Sequence, residues 1–268
     1  MARSTGLPLG IDVGGSGIKG APVDLERGAF AADRFRVETP EHATPEAVCG
    51  VIAEVVAHFD DVRDDSPVGV TVPGVVMHGV VRTAANIDRS WIDCDVERLL
   101  EDRLQHDVVV VNDADAAGYG ELRYGAAGGR DGLVIVTTLG TGIGSAVIHD
   151  GVLVPNSEYG HLELDGHGDA EDWAANSVRE RDGLSWEEWA ARLTGYFRAL
   201  EDLTWPDLFV VGGGVSKKAD RFLPLLDIRT PIVAARLENG AGIIGAAALA
   251  QTVQDARGTH RGERPVRL

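Results

Sequence analysis

Asp113 stands where an apolar run, Val108 to Val111, gives way through Asn112 to the helix-forming stretch Ala114 to Tyr124. In α/β sheets, ligands bind outside the carboxyl ends of the strands. A carboxylate there can take the proton of a hydroxyl as that oxygen attacks a phosphoryl group. The same position also suits a helix N-cap, so Asp113 alone leaves both roles open. Two other stretches read almost alike, Gly15-Ser16-Gly17-Ile18-Lys19-Gly20-Ala21 and Gly140-Thr141-Gly142-Ile143-Gly144-Ser145-Ala146. Each lies between two apolar runs, so each predicts a strand–turn–strand loop. Glycine lets an anion approach backbone N–H groups closely, and successive amides in a turn form an anion-binding concavity. Two such loops, one on either side of Asp113 in sequence, suggest a duplicated scaffold that grips a phosphate from both sides.

Other polar residues gather near these. Asp12 directly precedes the first glycine turn, where it can hold Mg²⁺ through water or simply stabilise the turn. Lys19 is a phosphate counter-charge or an exposed strand lysine. Glu158-Tyr159-Gly160-His161-Leu162-Glu163 brings several polar groups to one turn. They suit hydrogen bonds to sugar hydroxyls, a polar surface loop, or, with little support from ligand spacing, a metal. Gly212-Gly213-Gly214-Val215-Ser216-Lys217-Lys218 follows an apolar run and is expected to open a helix whose N-terminal amides and lysines form an anion site.

These groups need elements to position them. The pattern predicts strands at Leu9–Val13, Ile18–Val23 and Phe30–Val37. It places a helix over Ala47–Phe59, entered through Thr44-Pro45. A strand follows at Val68–Val72, a hairpin at Val75–Val81, a helix at Val96–Gln105 and a buried strand at Val108–Val111. The second half repeats the order. A glycine meander at Leu133–Val154 precedes broken helix from Asp169 to Ala191. Ser185 and Glu188 then form a capping box for a helix over Trp186–Leu200. A strand at Leu208–Val211 and a small-residue helix at Ala241–Ala250 complete it. Trp173, Trp186, Trp189 and Trp205 are expected to pack between helices. The implied divisions are a small α/β domain at 1–112, a larger one at 113–251 and a poorly ordered tail at 252–268 containing Arg257, Arg261, Arg264 and Arg267.

Composition bounds the partners. The 268 residues carry a net charge of −17, which argues against nucleic acid and anionic membrane surfaces. No apolar run approaches the ~20 residues of a membrane span. Cys49 and Cys94 are too few for a disulfide framework or a thiolate metal site. A cytoplasmic location is the expectation. There is no Gly-x-Gly-x-x-Gly and no Gly-Lys-Ser/Thr, which disfavours Rossmann and Walker sites.

Taken together, Leu9-Gly10-Ile11-Asp12-Val13-Gly14-Gly15-Ser16, Asn112-Asp113-Ala114-Asp115-Ala116, Leu139-Gly140-Thr141-Gly142-Ile143-Gly144 and Glu158-x-Gly160-His161 resemble the ROK sugar kinases. Further segments resemble one branch of that family, the polyphosphate glucokinases. These are the run Gly14 to Asp24, Thr83-Ala84-Ala85-Asn86, Pro155-Asn156-Ser157-Glu158 and Gly212 to Lys218. The resemblance covers nearly the whole chain. It implies an α/β fold of duplicated actin/hexokinase/Hsp70-like (ribonuclease H-like) domains around a central cleft. It implies transfer of a terminal phosphoryl group from inorganic polyphosphate, with ATP as a second donor, to the 6-hydroxyl of glucose.

By the same resemblance Asp113 is the catalytic base, and Asn86, Asn112, Glu158, His161, Glu171 and Gly74 hold the sugar. Gly14, Gly15, Ser16, Gly17, Lys19, Gly140, Thr141 and Gly142 hold the transferred phosphoryl group. Gly212, Gly213, Gly214 and Lys217 hold a nucleotide or part of a phosphate chain, and Mg²⁺ lies near Asp12. A homodimer is the family expectation. Two features depart from the family's patterns. The stretch 165–172 lacks the cysteines of the usual zinc motif, so no structural zinc is expected. Where the branch tends to carry basic residues after Glu171, this chain has Asp172 and Trp173. Alternatives within reach are an ATP-dependent hexokinase for mannose or another hexose, and a catalytically silent sugar sensor.

Overall fold

A computed structural model describes residues 6–59, 65–84, 87–164 and 166–259. Asn86, Asp165 and the arginines at 261, 264 and 267 lie outside the described residues. The described chain forms two compact units, one comprising 1–120 with 240–268 and the other 121–239.

In the first unit, β1 (Leu9–Gly14) and β2 (Gly17–Asp24) form the hairpin around the first glycine loop. The predicted third strand is two short ones, β3 (Ala29–Phe30) and β4 (Phe35–Val37), each paired with β2 but not continuous with the other. Helix α1 (Pro45–Ala57) starts as expected. The Thr44 side chain accepts from the Ala47 N–H, and Pro45 occupies the first helical turn, where its missing N–H costs nothing. Next come β5 (Val68–Val72), the hairpin β6 (Val76–Met77) and β7 (Val80–Val81), α2 (Val96–Leu104), β8 (Val108–Asn112) and α3 (Asp113–Tyr124). The sheet order is β3-β2-β1-β5-β8, antiparallel at β2–β1 and parallel from β1 onward. Both β5 and β8 are buried along their whole length, as parallel strands covered on two faces must be.

The second unit repeats this plan. β9 (Leu133–Leu139), β10 (Ile143–His149) and β11 (Val152–Val154) form the meander. The short pair β12 (Glu163–Leu164) and β13 (Gly168–Asp169) follows, then α4 (Ala170–Ala174), α5 (Asn176–Asp182), α6 (Trp186–Thr204), β14 (Leu208–Gly212) and β15 (Ile232–Ala234). Its sheet order, β11-β10-β9-β14-β15, has the same sequence of antiparallel and parallel pairings. The Ser185–Glu188 capping box is present. Glu121, buried at the start of this unit, accepts from the backbone N–H groups of Ala126, Arg236 and Leu237 and so ties its beginning to its end.

Three features differ from the sequence expectations. The C-terminal helix α7 (Ala241–Thr259) continues through residues expected to be loose tail, and it belongs to the first unit. It lies directly on β1 and β5. A Cβ at Gly10 or Gly69 would sit 1.9 Å from the Ile243 carbonyl oxygen or 2.0 Å from that of Ala246. Its far end is held by Gln254, which donates to the Asp65 carbonyl and the Asp107 carboxylate, and by the part-buried Arg257–Glu97 pair. Secondly, the turn at Gly212–Gly214 opens a 3₁₀ segment, Gly214–Arg221, whose backbone is non-helical at Lys218. Thirdly, Trp189 is fully buried, but Trp205 is 72% exposed in a left-handed C-cap, with Arg229 stacked on its ring.

Candidate active site

In the first unit, β1 ends at Asp12-Val13-Gly14 and hands the chain to the glycine loop. Asp12 Oδ1 accepts from the Thr71 hydroxyl on the neighbouring β5 at 3.0 Å, which fixes one carboxylate oxygen. The loop carbonyls are drawn backward by side chains from the β4 region. The Gly14 oxygen accepts from Thr39 Oγ1, and the Ser16 oxygen accepts from Arg36 Nη2, both at 2.5 Å. A carbonyl held on one side of a peptide plane sends the N–H to the other. Gly15 has open space around its missing side chain, whereas a Cβ at Gly17 would lie 2.5–2.8 Å from the Arg36 guanidinium. Gly17 therefore leaves the room that the arginine fills. A cavity of about 310 Å³ borders this loop, lined by Gly14, Gly15, Thr39, Glu41, Asp88 and Trp91 among others.

At the end of β8 the helix-cap question resolves. Asn112, 6% exposed, uses Oδ1 to accept from the N–H groups of both Ala114 and Asp115. Its Nδ2 donates to the Gly74 carbonyl at 3.1 Å. Asn112 thus caps α3 and positions Gly74, whose own missing side chain admits the Thr83 carbonyl at 2.5 Å. Asp113 becomes the first residue of α3. Its Oδ1 also lies 2.8 Å from the Ala114 N–H, and the residue is exposed.

In the second unit the loop Gly140–Gly142 is built to the same design. The Gly140 carbonyl accepts from the Ser177 N–H, and the Thr141 carbonyl accepts from Ser177 Oγ at 2.6 Å. Gly140 faces open space, while a Cβ at Gly142 would lie 2.3 Å from Glu171 Oε2. The same oxygen accepts from the Ile143 N–H at 3.2 Å. Glu171 therefore serves the loop. Its other oxygen, Oε1, lies 3.8 Å from His161 Nδ1.

His161 Nδ1 is 3.1 Å from Asp169 and its Nε2 is 3.9 Å from Glu158. Burial alone lowers the His161 pKa. The Asp169 hydrogen bond and the charges of Glu171, Glu158 and Asp169 outweigh it and hold the imidazole above its ordinary 6.5. Burial raises Glu158, partly offset by His161 and reinforced by Glu171. Ser145, buried on β10, aims this turn: its Oγ donates to the Ser157 carbonyl and accepts from the Tyr159 N–H. Gly160 permits it, since a Cβ there would lie 2.0 Å from the Ile143 carbonyl oxygen. Among the described residues, no group of three or more His, Cys, Asp or Glu is arranged to hold a metal ion.

The first unit thus collects Asp12, the Gly14–Gly17 loop, Lys19, Gly74, Asn112 and Asp113. The second collects the Gly140–Gly142 loop, Glu158, His161 and Glu171. Gly212–Gly214 lies at the end of β14, and Gly213 adopts φ +81°, packed against the Leu139 backbone. Lys217 pairs with Glu238. The sequence reading missed Thr39, Arg36, Ser177 and Ser145. Each acts on a backbone carbonyl far away in the chain, and no local pattern announces such a bond.

Among the described residues, no helix is long and apolar enough to cross a membrane. The ROK family model matches residues 8–172. A polyphosphate glucokinase of Mycobacterium tuberculosis is 54% identical over 240 residues, 89% of each chain. The crystal structure of an inorganic polyphosphate/ATP-glucomannokinase from Arthrobacter sp. strain KM superposes with a TM-score of 0.88 at 55% identity, covering 92% of this chain and 99% of that one. A ROK family glucokinase from Streptomyces griseus, in complex with glucose and AMPPNP, superposes at 0.79 with 28% identity, over 92% of this chain and 100% of that one. With the family model matched across both glycine loops and Asp113, this chain belongs to the ROK family.

Proposed function

We propose that the chain is a glucokinase that transfers the terminal phosphoryl group of inorganic polyphosphate, with ATP as a second donor, to the 6-hydroxyl of glucose. The observation that carries the reading is the place of Asp113, exposed at the head of α3 where β8 ends and next to the capping residue Asn112. The Mycobacterium and Arthrobacter relatives, both named for polyphosphate, support the donor.

Asp113 accepts the 6-hydroxyl proton as that oxygen forms its bond to the terminal phosphorus. The bond from phosphorus to the bridging oxygen breaks, and its electron pair leaves with the shortened chain. Each glycine loop offers backbone N–H groups of the kind that suit phosphoryl oxygens, and fixed donors stabilise charge without reorganising. Glu158 and His161 hold sugar hydroxyls, and Gly74 offers backbone. Asp12 fits a divalent ion, since Mg²⁺ asks the protein for one or two carboxylates when phosphate and water supply the rest. When bound, that ion neutralises charge on the phosphates. Cys49 and Cys94 are both free thiols, in keeping with a cytoplasmic location. A homodimer goes with the reading, and sedimentation tests it.

The deciding experiment is turnover of glucose with chain-length-defined polyphosphate and with ATP, in wild type and Asp113→Asn. The variant should lose about 10²–10⁴ in kcat with both donors, the usual worth of a general base. A folded variant with near-normal kcat overturns the assignment. Mannose as a second acceptor is favoured by the name of the Arthrobacter structure, and the same assay with mannose tests it.

A further inference from the structure

The strand register lines up four side chains across the first sheet. Thr71 on β5 is opposite Asp12 on β1, Asp12 is opposite Lys19 on β2, and Lys19 is opposite Arg36 on β4. Residues directly opposite in an antiparallel pair point to the same face. Neighbouring strands lie about 4.8 Å apart, so the row runs outward from Asp12 in two cationic steps. Among the described residues neither Lys19 nor Arg36 forms an ion pair. Other cations of the first unit do differently: Arg27 pairs with Asp24, and Arg82 with Asp93. In a protein of net charge −17, two cations outside any ion pair of the described residues, with Asp12 at the head of their row, stand against the general field.

Arg36 is also held in place. Its Nη2 donates to the Ser16 carbonyl, and its plane fills the space where Gly17 lacks a side chain. A guanidinium has five N–H donors, so this bond leaves others to offer. The cavity that borders the loop is lined by two carboxylates, Glu41 and Asp88, beside His42, and is less suited to an anion than the cationic row. We infer that Lys19 and Arg36 form a subsite for the internal phosphates of a polyphosphate donor, directing the chain from the first glycine loop across β2 toward β4. This rests on the donor reading above and deepens it.

The test is steady-state kinetics on Arg36→Ala, Arg36→Lys and the exposed-charge control Arg89→Ala, with long-chain polyphosphate, ATP and glucose varied in turn. Arg36→Ala should raise the KM for polyphosphate about tenfold or more, the worth of a charge-assisted hydrogen bond. It should move the ATP KM less and leave the glucose KM in place. Arg36→Lys should recover part of the loss and Arg89→Ala none of it should show. The polyphosphate KM of wild type should also climb more steeply with salt than that of Arg36→Ala. If Arg36→Ala fails to fold, Arg36→Lys and the salt series decide. An unchanged polyphosphate KM, or a fall in kcat alone that is equal for both donors, overturns the subsite and leaves Arg36 as a loop brace. Absence of polyphosphate turnover by wild type overturns the donor reading itself, and the subsite with it.

Discussion

The two glycine loops share a backbone plan and differ in what backs them. In both, the first glycine (Gly15, Gly140) faces open space, and the carbonyl of the hydroxyl residue (Ser16, Thr141) is drawn backward by a side chain. In both, the last glycine (Gly17, Gly142) is small because a charged group occupies its place. Behind the first loop that group is the Arg36 cation; behind the second it is the Glu171 anion. Duplication supplied one fold for the turn, and the side chain behind the third position gave each copy its work. Under the proposed function, a cation behind the first loop would favour the phosphate donor. A carboxylate that also reaches toward His161 would tie the second loop to the residues proposed to hold the sugar.

That contrast can be broken. Glu171→Gln has the largest expected effect: the glucose KM should rise about 10- to 100-fold through loss of a charged acceptor, with a smaller change in donor KM. A donor KM that moves more than the glucose KM would remove Glu171 from the sugar side and leave it as a brace of the second loop. The paired variants Gly17→Ala and Gly142→Ala come next. Each new methyl meets the movable end of a side chain, so the fold should survive while Arg36 or Glu171 is displaced. Roughly tenfold effects are expected, on the donor KM for the first and the glucose KM for the second. Kinetics in which both variants shift the same substrate would sink the comparison.

Ser177→Ala removes one loop brace and should lower kcat about fivefold, as for a single neutral hydrogen bond. The smallest effect concerns His161. Its proton is held above 6.5 and is released as pH rises through that raised value. In Asp169→Asn the titration followed by NMR should move down toward 6.5; an unmoved midpoint would remove Asp169 as the cause.

Local signals were legible in the sequence. Thr44-Pro45 and the Ser185–Glu188 box each act within four residues, and both stand where they were read. The apolar runs gave β5, β8 and β14 to within a residue because buried parallel strands leave no other pattern. What stayed hidden acts across distance. Arg36 is 20 residues from Ser16, and Ser177 is 36 from Thr141. Asn112 and Asp113 suit a cap equally by type, and only their geometry at the end of β8 separated them. The extension of α7 beyond Ala250 was missed because Gln254 and Arg257 read as tail until Asp107 and Glu97 are seen beneath them.

The placement of α7 has a consequence for biosynthesis. The first unit is discontinuous: the chain leaves it after Gly120 and returns at Gly240. Its sheet cannot be covered until the last helix has been translated. At about 5–20 residues per second, the ribosome spends on the order of ten seconds making the intervening segment. During that interval Gly10 and Gly69 present a bare groove, and the second unit, whose sheet is continuous in sequence, is free to fold first. The glycines that admit α7 so closely make the half of the protein bearing Asp113 the last to be finished.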